Sequence, residues 1–359
     1  MRKVLLTLLV LGTLAGLGAV TVLGLGLYNV SARAGHLPGV SWVMHSAYRN
    51  AIRLRAPAPE EVPPLDDPDL VALGARHYDS ACAFCHASPG NTRSATALSM
   101  EPPPPHIETA VRQWQPEHMF QIIYEGVKMT GMPHWPAARK DEVWAIVAYL
   151  DQLPEHSANK AQERVATPPE PDDPQIAYCA ACHGSDGNPR NAHVPRLDIL
   201  SQTYMAQTLL DYRDGRRGSG FMAHATAQVS ESDLARLATY FARIPPSRTT
   251  PPDLPPGTPE ASDPGAELAT RGSDDVPSCQ ACHGPDRRRD RQHFPPLAGQ
   301  SRLFLEAQLR LWRDGARGGG TRAELMAKAA ASLNEQEIEA LARYYSALQP
   351  PERNSEDGD

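Results

Sequence analysis

All six cysteines of the chain fall into one five-residue pattern used three times: Cys82-Ala83-Phe84-Cys85-His86, Cys179-Ala180-Ala181-Cys182-His183 and Cys279-Gln280-Ala281-Cys282-His283. C-x-x-C-H is the attachment sequence of c-type heme. Two thiols three residues apart on a helical turn reach the two vinyl groups of one porphyrin, and the next residue presents an imidazole to the iron. The pattern predicts three covalently bound heme c groups. Cys82, Cys85, Cys179, Cys182, Cys279 and Cys282 would be the attachment points, and His86, His183 and His283 iron ligands. A zinc ribbon would bring two such pairs within about 15–20 residues of each other; here each pair is about a hundred residues from the next. A thioredoxin-like dithiol needs a βαβ context that the sequence lacks, and structural disulfides would not place a histidine after every pair.

Each iron needs a sixth ligand or stays open for chemistry. Met132 follows His86, between Gly131 and Pro133; Met222 follows His183; Met326 follows His283. A methionine is usually a gap-filler in a core, as expected of Met205 and Met119. Three methionines at similar distances after a heme-type histidine instead point to sulfur ligation by Met132, Met222 and Met326, with Met129 close enough to Met132 to compete. A His/Met pair raises a heme's potential and leaves no vacant position, which favours electron transfer over catalysis.

The second and third motifs begin an internal repeat. Residues 179–220 align with 279–320 at a constant offset of 100, sharing His193/His293, Pro195/Pro295, Arg213/Arg313 and Arg217/Arg317. A four-residue shift then pairs Met222 with Met326. The prolines are expected to turn a carbonyl toward the motif histidine, and the arginines are candidates for heme propionates. His193 and His293 follow the motif histidine too closely for a sixth ligand and are expected beside the site or on the surface.

The last helices carry start signals, Ser230 with Asp233 and Asn334 with Glu337. Leu234, Leu237 and Phe241, and likewise Ile338, Leu341 and Tyr345, then follow at helical spacing. No alternating strand pattern of useful length occurs. The fold expected is all-α, with an N-terminal transmembrane helix and three small tandem domains.

Residues 1–30 form the expected anchor. The uncharged run from Val4 to Tyr28 exceeds the roughly 30 Å hydrocarbon core at about 1.5 Å per residue, and is longer than the roughly 7–15-residue core of a signal peptide. Ala32-Arg33-Ala34 nonetheless offers a cleavage-like site. Residues 31–68 are a neck whose Val40 to Ile52 stretch suits either the membrane surface or packing on the first domain. The domains are expected at 69–153, 175–245 and 273–350, with linkers at 154–174 and 246–272 and a polar tail at 351–359. Prolines, 35 in 359 residues, concentrate in those linkers, which makes them semi-rigid. Arg287-Arg288-Arg289-Asp290-Arg291 is read as a solvated loop, with docking to an acidic partner as the alternative. A net charge of −7 argues against nucleic acid as a partner.

Gly126-Val127-Lys128-Met129-Thr130-Gly131-Met132-Pro133, with Trp135, resembles the ligand loop of single-heme class I cytochrome c domains, in which the methionine before the proline binds iron. The Cys-His-Gly, Pro-x-Leu and Asp-Gly-x-Arg elements of the repeat resemble the two halves of soluble diheme cytochromes c. Phe294-Pro295-Pro296-Leu297-Ala298-Gly299-Gln300 matches most closely; His193-Val194-Pro195-Arg196-Leu197 lacks the Ala-Gly-Gln, and the Met222 and Met326 segments lack Thr-Gly-Met. The whole resembles membrane-anchored multiheme cytochromes c of bacterial respiratory chains. That resemblance implies heme attachment in the periplasm and an electron carrier, not an enzyme, anchored in the inner membrane. It would relay electrons from a quinol-oxidising complex or a periplasmic dehydrogenase to a terminal oxidase or soluble carrier. Two alternatives stand beside this: the electron-transfer subunit of one specific dehydrogenase, and a heme peroxidase-like enzyme with one open iron.

Overall fold

A computed structural model of the chain describes residues 1–153, 171–248, 263–284, 293–320 and 323–350. Among these residues the regular structure is helical, and extended pairing is limited to an isolated antiparallel bridge between Arg217 and Gly318. The expected solvated loop at 287–291, the tail and most of both linkers lie outside the described residues.

Helix α1 (Arg2–Gly24) buries none of its residues. It is long and apolar enough to cross a membrane, a test that a signal segment also passes. Helix α2 (Val40–Arg55) packs on the first globular unit through buried Ile52 and through Tyr48, whose ring meets Trp114 edge-on at 5.7 Å. Trp42, Val43 and Leu54 on α2 stay exposed.

Helix α3 (Pro68–His77) starts as a helix should: the Asp67 carboxylate caps the Asp69 amide at 2.9 Å and proline takes the first position. A π-helical turn (Tyr78–Cys82) and a last turn (Ala83–His86) carry the chain through the first motif. Helices α4 (Pro116–Glu125) and α5 (Lys140–Gln152) complete this unit. Val71, Tyr78, Phe120, Val143, Ile146 and Val147 form its core. Gly74 lets α3 approach α5 backbone to backbone, because a β-carbon there would lie 1.9 Å from the Ala145 carbonyl oxygen.

The second unit contains α6 (Pro174–His183), α7 (Gln202–Arg213), α8 (Gly220–Ala227) and α9 (Glu231–Arg243). Ser230 caps α9 through the Asp233 amide, as its sequence suggests. The third unit contains α10 (Pro264–Arg271), a turn (Gln280–His283), α11 (Arg302–Arg313), α12 (Ala323–Ala330) and α13 (Glu335–Ala347). Asn334 and Glu337 close a reciprocal capping box at the head of α13. The Gly74 arrangement recurs here, a β-carbon on Gly265 being 2.2 Å from the Ala340 carbonyl oxygen.

Helix α10 falls inside the stretch expected to be linker. Its proline occupies the first helical position, where no amide is missed, and Ala266, Leu268 and Ala269 enter the third core. The packed unit therefore begins before residue 273.

The units touch. Gly218 donates to the Arg317 carbonyl at 2.9 Å and Gly319 to the Arg216 carbonyl at 2.7 Å, joining equivalent points of the two repeats. Arg196, buried against Asp198 at 2.6 Å, donates to the Gly299 carbonyl at 3.1 Å, and its amide to the Gln300 side chain at 2.8 Å. The first unit meets the second where Asn191 donates to the Asp69 carbonyl and the Ala192 amide to the Asp69 carboxylate.

Candidate heme sites

The three motif histidines share one geometry. Nδ1 lies 2.8 Å from the Pro105 carbonyl oxygen in His86, 3.1 Å from that of Pro195 in His183 and 2.8 Å from that of Pro295 in His283. A carbonyl only accepts, so Nδ1 carries the proton and Nε2 keeps its lone pair, the tautomer a metal-binding histidine needs. Burial pushes all three imidazoles below their ordinary value, against the carbonyl bond that raises it, so they stay neutral. The Pro195 and Pro295 contacts follow the repeat. Pro105 does not: the first unit reaches its histidine from farther down the chain, out of the proline run at 102–105, and only that run hinted at it.

No disulfide joins any of the six cysteines. Burial raises Cys82 to about 12 and Cys179 and Cys279 to about 11, with the second cysteine of the pair adding to the shift in each motif. Redox-active dithiols depress a thiol pKa instead.

One cavity of about 1710 Å³ is lined by Cys179, Cys182, His183 and Met222 and also by Cys279, Cys282, His283 and Met326. Single ligand pockets run to roughly 300–1,000 Å³, so the space suits two large groups. Cys82, Cys85, His86 and Met132 do not line it. Met132 lies in the loop after α4, its carbonyl accepting from the Val127 amide at 3.1 Å and its amide donating to Thr130 Oγ1 at 3.1 Å. Met129 is exposed, and Met119 and Met205 are buried core residues. Met100, which no sequence signal singles out, abuts Gly131: a β-carbon there would lie 2.1 Å from its Cε. Met222 and Met326 sit on the short helices α8 and α12, and Ser219 caps the Met222 amide at 3.1 Å.

The arginines divide. Arg213 pairs with Glu231 at 2.8 Å and Arg313 with Glu335 at 2.7 Å, tying the end of α7 to α9 and the end of α11 to α13. Their partners here are first-turn carboxylates of α9 and α13. Arg217 and Arg317 are buried between the repeats. Arg217 reaches Tyr204 Oη and Thr208 Oγ1, both at 3.2 Å, and lies over the Tyr212 ring. Arg317 reaches Gln308 Oε1 at 2.8 Å and lies over the Trp312 ring. No described carboxylate forms an ion pair with either. Burial, then the neighbouring Arg217 charge, lower Arg317 to about 10. The two guanidiniums overcome the burial of Tyr204 and bring its hydroxyl down to about 8. Two buried cations side by side call for anions. Carboxylates of a group filling the adjoining cavity would satisfy them, and the buried, unpaired Gln308 Nε2 would offer a further donor. The residues present fit heme.

His193 sits beside the site, lining the shared cavity. Its Nε2 donates to Asp67 Oδ2 at 2.7 Å, across to the first unit.

The chain belongs to the cytochrome c family, whose domains carry covalently bound heme c. Residues 69–150 match the family model described as cytochrome c oxidase, cbb3-type, subunit III, and residues 262–349 the model described as cytochrome c. The chain is 36% identical over 178 residues to the thiosulfate dehydrogenase electron acceptor of Thiomonas intermedia, covering 48% of this chain and 80% of that protein. It is 31% identical over 177 residues to cytochrome c4 of Pseudomonas aeruginosa, covering 48% and 85%. A crystal structure of reduced cytochrome c4 from Pseudomonas stutzeri aligns over 49% of this chain and 95% of its own, at 29% identity and a TM-score of 0.43.

Proposed function

We propose that this chain is a triheme electron carrier anchored in the bacterial inner membrane by α1, with its heme-bearing units in the periplasm. The units would span residues 69–153, 175–245 and 273–350, the last extended back to α10. Cys82 and Cys85 would attach the first heme, Cys179 and Cys182 the second, Cys279 and Cys282 the third. His86 with Met132, His183 with Met222, and His283 with Met326 would ligate the irons. Each bound heme supplies a one-electron ferric/ferrous couple.

The chain's own groups do the rest. The Pro105, Pro195 and Pro295 carbonyls orient the imidazoles. Apolar walls exclude water, and Arg217 and Arg317 supply positive charge where two sites meet. The observation that carries the reading is the single cavity shared by the second and third motifs with that arginine pair beside it. Placing two redox groups in one enclosure is useful to a relay and superfluous to two independent binders. An enzyme with an open second iron is disfavoured, because Met222 lines the same cavity as His183.

The electron donor we favour is a periplasmic dehydrogenase, in keeping with the relatives named as electron acceptors of thiosulfate dehydrogenase. A quinol-oxidising complex is the other donor, and a terminal oxidase or soluble carrier the acceptor. Stopped-flow mixing of the oxidised protein with a thiosulfate dehydrogenase and thiosulfate tests the donor: reduction within the dehydrogenase's turnover time supports it. Reduction no faster than by thiosulfate alone contradicts it.

A further inference from the structure

Glu142, on the first turn of α5 in the first unit, is 4% exposed and points into the second. Its Oε1 accepts from Ser219 Oγ at 2.5 Å and its Oε2 from the Gly220 amide at 2.6 Å, while Arg139 balances its charge at 3.0 Å. Ser219 Oγ in turn accepts from the Met222 amide at 3.1 Å. Two hydrogen bonds therefore connect a carboxylate of one unit to the backbone of the candidate iron ligand of another.

A second contact reinforces the first. Trp135, three residues past Met132, covers Gly220 so closely that a β-carbon there would lie 2.2 Å from its Cε2. The Phe221 ring lies 5.5 Å from that of Trp135 and 4.6 Å from that of His77, and His224 is 5.5 Å from His77. The segments bearing Met132 and Met222 are thus packed back to back.

The third unit has no such clamp among the described residues. Gly319 stands in the repeat where the second has Ser219. The nearest atom to a β-carbon on Gly320 is Asp211 Oδ2 at 3.3 Å, from the second unit and not the first. The repeat alone does not require Ser219 or its buried partner, so the pair is specific to contact with the first unit.

We propose that Glu142 is a positioning residue for the second heme: by holding Ser219 and Gly220 it fixes the head of α8, and so sets how firmly Met222 closes the iron. The potential of the second site then depends on the docking of the first unit. This rests on the assignment of Met222 as ligand, and the test separates the two.

In the full-length, heme-loaded protein, Met222→Ala is expected to abolish the methionine-to-ferric-iron absorption of one heme. An unchanged spectrum would remove the premise and the proposal with it. With that loss established, Glu142→Ala is expected to weaken the same band, lower the potential of the same heme and raise its cyanide affinity by about tenfold or more, the scale of a lost charged hydrogen bond. Adding Glu142→Ala to Met222→Ala should change the spectrum and potential no further. Glu142→Gln, which still accepts from the Gly220 amide and can donate to Ser219, should restore most of the band. Ser219→Ala serves if Glu142→Ala does not fold, because it cuts the path to Met222 and leaves the Gly220 bond; a shift in the same direction supports the clamp. Wild-type potential and cyanide affinity in a folded Glu142→Ala or Ser219→Ala protein overturn it.

Discussion

Asp67, at the head of α3, accepts a hydrogen bond from His193 of the second unit, Oδ2 to Nε2 at 2.7 Å. Burial alone would raise the Asp67 pKa. The His193 hydrogen bond, helped by the Asp69 and Leu70 amides, overcomes it and holds the carboxyl below its ordinary value. A depressed acid stabilises the folded, docked arrangement fully above its unfolded pKa, near 4, and that contribution disappears as pH falls through the lower folded value. The amides of Ala192 and His193, hydrogen-bonded in the docked arrangement, should lose hydrogen-exchange protection on acidification to below about pH 4. Asp67→Asn should show reduced protection already at neutral pH. Protection equal to wild type in that variant would mean the pair does not hold the units together.

Met326→Ala should leave heme content unchanged, since attachment runs through Cys279 and Cys282. It should open one iron to carbon monoxide and lower its potential by about 0.1 V or more, within the roughly 0.8 V range that axial ligands command. A spectroelectrochemical titration with and without carbon monoxide reads both effects.

Arg317→Gln removes positive charge from the space between the second and third sites. A nearby cation favours the less positive, ferrous state, so its loss should lower one or both potentials by an amount on the order of tens of millivolts at an effective dielectric near 20. Arg313→Gln, which leaves surface Glu335 with Arg310 as its partner, should leave the potentials within a few millivolts of wild type. Redox titration of the two variants side by side checks the contrast.

Gly74→Ala places a methyl against the Ala145 carbonyl of the crossing helix. Neither backbone can yield without moving the other, so a loss of about 1–3 kcal/mol is expected in the first unit. Gly265→Ala should do the same in the third through the Ala340 carbonyl. Denaturant unfolding followed at the heme absorption bands measures both.

The helices and the cofactor class were legible in the chain because each rests on local information. The motif spacing is a property of one helical turn, and the caps at Ser230 and Asn334 lie within three residues of what they cap. The second-unit repeat made Pro195 and Pro295 readable from each other. Pro105 was hidden because the first unit uses another spacing, and α10 because proline at a helix start looks like linker composition. The partners of Arg213, Arg313 and His193, and the reach of Glu142 to Ser219, depend on how separate segments pack. No periodicity encodes that.

Intact-mass measurement of the mature protein under denaturing conditions tests the central claim most directly. The account predicts a mass above that of the polypeptide by three covalently attached hemes, each peptide containing Cys82/Cys85, Cys179/Cys182 and Cys279/Cys282 carrying one. A mature chain with free thiols or bound metal at any of these pairs would contradict it.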